Sequence, residues 1–141
     1  MATEENKKHI ENILKGASVR PTPVRMLILG EFYKSLKPLS AQEVEDSLGT
    51  VDRSSITRAL ALFAESHILH QISDGSGMMR YELCRDISHA AHRDQHAHFH
   101  CRKCGETICL NDVGIDTPNI GTEYLIESLT FVITGICPKC R

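Results

Sequence analysis

The chain has 141 residues, 41% of them hydrophobic, and a formal net charge of −2. That length holds one ordinary domain or two small ones, and that apolar content is globular rather than disordered. The charge gives no support to non-specific polyanion binding, and no apolar run is long enough to span a membrane, so DNA binding must be argued from local charge alone.

The start, Met1-Ala2-Thr3-Glu4-Glu5, is acidic and polar rather than a signal or transit peptide, which predicts a cytoplasmic location. In a reducing compartment the six cysteines read better as metal ligands than as disulfides.

Residues 4–15 predict a helix with Ile10, Ile13 and Leu14 on one side, ended by Gly16. Thr22 is placed to cap a second helix, with Pro23 at its first position. Val24, Leu27, Ile28, Gly30 and Phe32 carry that helix to about Tyr33, and 34–39 reads as a loop. Ser40-Ala41-Gln42-Glu43 is a capping box that opens a short third helix, with Val44 and Leu48 inward. After the turn at 49–51, Asp52 or Ser54 caps a fourth helix whose inner face is Ile56, Leu60 and Phe63. Its outer face carries Arg53, Ser55, Thr57 and Arg58, which suits a recognition helix and equally suits an ordinary solvated face.

The next segment of the chain favours recognition. Residues 68–72 read as a strand, 74–77 as a turn and 78–83 as a second strand. Helix-turn-helix and then hairpin is the winged-helix order. Residues 84–94 are poor in apolar side chains and read as a linker. Beyond them, 97–101 and 107–110 are expected as strands, 111–121 as a short helix or irregular segment, and 124–134 as a long strand.

Two Cys-x-x-Cys pairs, Cys101/Cys104 and Cys137/Cys140, have the spacing of a tetrahedral Cys₄ zinc site. Each pair forms a tight turn that aims two sulfurs at one point. Five of the eight histidines (His89, His92, His96, His98, His100) crowd just ahead of the first pair. His96 and His98 alternate onto one strand face, as two ligands of one metal must. His100 shares that face but reads as structural or exposed, and Cys109 reads as core.

Taken together, Thr22-Pro23-Val24-Arg25, Ser40 to Glu43, Arg58, Tyr81-Glu82-Leu83, His96-Ala97-His98, Cys101/Cys104-Gly105 and Gly135 with Cys137/Cys140 resemble the ferric uptake regulator family of bacterial metal-sensing repressors. The resemblance implies an α+β fold. A winged helix-turn-helix domain (1–83) and a hinge linker (84–95) would precede a small α/β dimerisation and metal-binding domain (96–141). It implies a homodimer on double-stranded operator DNA, a structural zinc, and a regulatory metal near the hinge. No membrane partner and no small-molecule substrate is expected.

The pattern departs from iron sensors at Gln95 and Ala97, which cannot ligate, so the family's additional site in the second half looks lost. Asp116, near the place of that site's glutamate, reads as a surface carboxylate. The hinge set resembles that of zinc uptake regulators. His70, Cys84, His96 and His98 would form a tetrahedral N₃S site, with Glu82, His89 or His92 as substitutes for His70. A thiolate among imidazoles suits zinc. Zinc would therefore act as corepressor of metal-uptake genes. An iron- or peroxide-responsive member using Fe²⁺ is the alternative.

For DNA, Arg58 and Ser55 are expected at bases and Arg25 and Arg53 nearer phosphate. Thr57 stands where relatives usually carry tyrosine. Among other classes, a zinc deaminase would need a His-x-Glu motif and an open zinc position, and the chain shows neither, so no catalysis is expected. A zinc-ribbon interaction module without DNA binding is the remaining competitor.

Overall fold

The structure, a computed structural model, describes residues 3–35, 37–83, 96–126 and 129–141, and of His96 and Asn111 the backbone only. Its helices begin where the sequence places hydroxyl and carboxylate caps. Thr3 caps α1 (Glu4–Gly16), its side chain accepting the Asn6 N–H. Thr22 caps α2 (Pro23–Lys34) by accepting the Arg25 N–H, with proline at the first position. Ser40 and Glu43 form both halves of the capping box of α3 (Ala41–Leu48). Asp52, not Ser54, caps α4 (Arg53–Glu65); the Ser54 hydroxyl donates to it instead.

One apolar cluster holds these helices together. Ile10 and Leu14 of α1 meet Ile28, Leu29 and Phe32 of α2, Val44 of α3, and Ile56, Leu60 and Phe63 of α4. Leu69 and Leu83 of the adjoining hairpin close it. Leu27 is exposed, because the buried stripe of α2 runs through 28, 29 and 32. Every buried member of this cluster among the described residues comes from 10–83, so the first half has its own core.

The wing is a three-stranded antiparallel sheet in the order β1-β3-β2, from β1 (Leu39–Ser40), β2 (Leu69–Ser73) and β3 (Met79–Leu83). Strand β1 has no counterpart among the expected elements, being too short to show a periodicity. It sets Ser40, the α3 cap, opposite Arg80.

The second sheet runs β5-β4-β6, from β4 (His96–Cys101), β5 (Thr107–Gly114) and β6 (Val132–Gly135). Strand β4 pairs antiparallel with β5 and parallel with β6. The fold class is α+β, and among the described residues the helices all precede β2.

Two expectations for this half need correction. Strand β5 extends to Gly114 and takes in residues assigned to a helix or irregular segment, with a register irregularity beside His96 and Ala97. The long strand expected over 124–134 shrinks to Val132–Gly135. Tyr124, Leu125 and Ile126 are instead exposed, Leu125 by 87%. β-Branched apolar residues favour strands only where a neighbour supplies ladder bonds and a packing face.

Candidate metal centres and nucleic-acid interface

Strand β4 ends at Cys101 and β6 at Gly135, side by side in register, so the two Cys pairs emerge from adjacent strand ends. Gly105, at φ +78°, allows the chain to turn back after the first pair, and its N–H donates to the Cys101 carbonyl at 2.9 Å. The second pair closes similarly, with the Cys140 N–H on the Cys137 carbonyl.

The four sulfurs lie within 4.8 Å of one another, Cys101 and Cys137 buried and Cys104 exposed. Cys104 Sγ and Cys137 Sγ are 3.8 Å apart. Four thiolates about 2.3 Å from a tetrahedral zinc stand roughly 3.8 Å from each other, whereas a disulfide requires about 2.05 Å.

The Cys101 sulfur accepts N–H bonds from Cys104 and Cys137, which lower its thiol to about 6. Hydrogen bonding to Cys137 pushes the Cys140 thiol up to about 12. A cation that all four sulfurs share removes this imbalance. The donor set fits a structural Zn²⁺, as the spacing predicted.

A second cluster joins the two halves of the chain. In the β4–β5 ladder His98 stands opposite Cys109, and in the wing His70 stands opposite Glu82. Directly opposed residues share a sheet face. Glu82 Oε2 lies 2.7 Å from His98 Nε2, which sets the two pairs against each other. Donor atoms of Glu82, His98 and Cys109 fall within 4.8 Å of one another.

Of the hinge residues nominated from sequence, His98 is therefore in a cluster, and His70 stands one ladder rung from it. His96 lies on β4, but its side chain falls outside the described residues, as do Cys84, His89 and His92 entirely. Cys109 is half-buried rather than core, and the sequence reading missed it. The signal was there: a hairpin centred on the first Cys turn puts Cys109 across from His98. His100 is structural. Its Nδ1 lies 3.0 Å from Thr107 Oγ1, whose own proton goes to Asp74 at 2.6 Å, so the imidazole is the donor. Asp116 is exposed, as expected.

On α4, Arg53, Thr57 and Arg58 are exposed and Ser55 is half-buried. Arg53 Nη1 bonds Gln42 and Glu45 of α3, tying the two helices of the motif together. The hydroxyls of Ser55 and Thr57 donate within their own helix turn, to Asp52 and to the Arg53 carbonyl. Hydrogen bonds from Ser55 and Ser54 hold the Asp52 carboxyl down at about 2. Arg58 enters none of these bonds. Arg25 donates to the Arg20 carbonyl at the α2 entrance.

A winged helix-turn-helix joined to a Cys₄ zinc sheet defines a metal-linked DNA-binding regulator. The ferric uptake regulator family matches residues 16–123, and the chain belongs to it. It is thus a metal-responsive transcriptional regulator and not an enzyme.

Among solved structures, a zinc uptake regulator complexed with zinc and DNA is similar at 19% identity and a TM-score of 0.70, covering 99% of this chain and 95% of that one. The ferric uptake regulator of Helicobacter pylori gives 19% and 0.64, over 98% and 93%. That of Vibrio cholerae gives 20% and 0.63, over 90% and 98%. At such identity these likenesses establish the fold. No curated protein sequence matches the chain.

Proposed function

We propose that this regulator is a cytoplasmic homodimer that represses metal-uptake genes, with zinc at the hinge as corepressor. The observation that carries the reading is the meeting of Glu82, on the wing, with His98 and Cys109, on the second sheet. These donors belong to the two halves that 84–95 connects. A cation bonded to all three holds one half at a fixed angle to the other. His96, Cys84 and His70 are the candidates to complete the shell. In a dimer that angle sets the spacing of the two α4 helices, so the metal-bound form is the one whose helices match successive major grooves.

The thiol favours zinc over hard, oxygen-preferring cations. The carboxylate of Glu82, which the sequence offered only as a substitute for His70, supports the second reading, iron, because it supplies the oxygen donor that His70, Cys84, His96 and His98 lack.

Dimerisation is supported by the second sheet. Strand β5 is an edge strand of eight residues, and Val113, Ile120, Tyr124, Leu125, Phe131 and Ile133 are exposed around that sheet. Long edges and apolar patches of this kind are covered in soluble proteins. Within the dimer, Arg58 and Ser55 would read bases, and Arg25, Arg53 and Thr57 would lie nearer the backbone.

The deciding experiment is an electrophoretic shift on DNA from the regulator's own promoter, with zinc or iron restored to metal-depleted protein. Tightening by zinc and not by iron supports the reading. Equal shifts with and without either metal refute it.

A further inference from the structure

Among the described residues, polar contacts run from four residues of the wing half to the zinc sheet. Lys37 with Glu106 is exposed and worth little. Glu82 with His98 belongs to the hinge cluster. The others centre on Arg80 and Asp74, and both side chains are almost fully buried.

Arg80 spreads its guanidinium over three elements. Nε donates to Asp74 Oδ2 at 2.8 Å, Nη1 to Glu43 Oε1 at 3.0 Å, and Nη2 to the Gly105 carbonyl at 3.3 Å. Glu43 is the capping-box carboxylate of α3, and its other oxygen accepts the Ser40 N–H at 2.9 Å. Gly105 directly follows the zinc ligand Cys104. Asp74, at the wing turn, takes the hydroxyl of Thr107, the first residue of β5, as well as both the N–H and the hydroxyl of Ser76, and His100 Nδ1 lies 3.4 Å from its Oδ2. One buried cation thus bonds the zinc knuckle, the wing turn and the N-terminus of the first helix of the DNA-reading motif. Helix α3 in turn holds Arg53 at the start of α4.

We infer that Arg80 is a positioning residue that couples the Cys₄ zinc knuckle to the helix-turn-helix, so that this zinc orders the DNA-reading helices as well as its own sheet. A planar guanidinium can hold three acceptors at fixed angles, which a lysine ammonium on a flexible stem cannot. Asp74 is fully buried and Glu43 and Gly105 are half-buried, so losing the knuckle's geometry leaves part of this charge-assisted set unmade rather than exchanged for water. The coupling serves the regulator function proposed above, but its test uses no DNA, and the hinge donors are the same in all four proteins compared.

The test is a cycle of four full-length proteins loaded with zinc: wild type, Arg80→Met, a knuckle variant with Cys137→Ser and Cys140→Ser, and the combination. Hydrogen exchange is followed at the first-turn amides of α3, with α1 as internal reference. The knuckle variant should speed α3 exchange by about fivefold or more over wild type, the lower end of ordinary coupling between sites. In the Arg80→Met background the same cysteine changes should add nothing, and α1 should not respond in either. Glu43→Ala replaces Arg80→Met if the latter does not fold, since it removes the acceptor on α3 while leaving Arg80 paired with Asp74. Equal acceleration with and without the link, or no acceleration in the wild-type background, overturns the coupling.

Discussion

Glu82 and His98 come from different sheets, yet their side chains meet at 2.7 Å, with Cys109 completing a three-donor cluster. If a metal sits there, each donor is needed. Glu82→Gln and Cys109→Ser should each lower zinc content from two ions per chain towards one and remove the zinc response of DNA binding. Outer residues of a metal site typically cost about 10–100-fold when changed, and a ligand should cost at least that. Metal content by elemental analysis and the DNA shift check it together; two zincs retained with an intact response would rule out the cluster.

Burial pushes the Asp74 carboxyl up, but hydrogen bonds from Ser76, Thr107 and Arg80 outweigh it and hold the group well below the usual carboxylate range. A depressed native value means stability that is fully present above the unfolded value near pH 3.9 and is lost as pH falls towards the native one. Asp74→Asn should therefore flatten the acid limb of the stability curve. Near neutral pH it should cost about 1.5–3 kcal/mol, because the buried Arg80 keeps Glu43 but loses its other charged acceptor. Denaturant melts between about pH 3 and 7 measure both effects.

The first half was legible because its signals are local. A hydroxyl or carboxylate before an apolar stripe sets each helix start, and Val44, Ile56, Leu60 and Phe63 are all buried where periodicity put them. The Cys₄ site was legible for the same reason, since spacing alone defines it. The hinge cluster was only half legible. Cys109 becomes a donor only once the hairpin register around the first Cys turn is fixed, and Glu82, a substitute ligand by sequence, only through the approach of two sheets. Residues 124–126 and 129–131 misled because apolar content reports suitability for a strand and not the presence of a neighbour.

That exposed run bears on assembly. Leu125→Asp places a charge in the exposed apolar stretch that includes Tyr124, Ile126 and Phe131 without touching the buried cluster of the first half. Sedimentation should show the wild type as a dimer and the variant shifted to monomer. Dimer affinity should weaken at least tenfold, as expected for an interface anchor worth more than about 1.4 kcal/mol. An unchanged dimer would move the interface elsewhere.

Phe63 is fully buried at the centre of the helical cluster, between residues of α1, α2 and α4. Phe63→Ala should destabilise the first half by about 3–5 kcal/mol, a transfer loss plus a cavity its neighbours cannot collapse into. By contrast, Ser40→Ala removes one capping bond and should cost about 1 kcal/mol. Urea midpoints followed by helical circular dichroism should rank them in that order. The reverse ranking would mean that the capping box, not the apolar cluster, anchors α3.

Different forces hold the two halves together. Among the described residues, 96–141 contribute no buried member to the helical core, and their own buried apolar side chains are few, chiefly Ala97 with the sulfurs of Cys101 and Cys137. Zinc binding to such a site is itself folding free energy, with apparent values of about 10–16 kcal/mol in small zinc modules. Chelating the knuckle zinc should therefore split one thermal transition into two. The β-sheet signal should be lost first, and the helical transition should persist at a temperature lowered only by the missing contacts through Arg80 and Asp74. Calorimetry with and without a strong chelator, read beside circular dichroism, distinguishes this from a single transition that moves as a whole. A single transition would mean that the two halves unfold as one cooperative unit despite their separate cores.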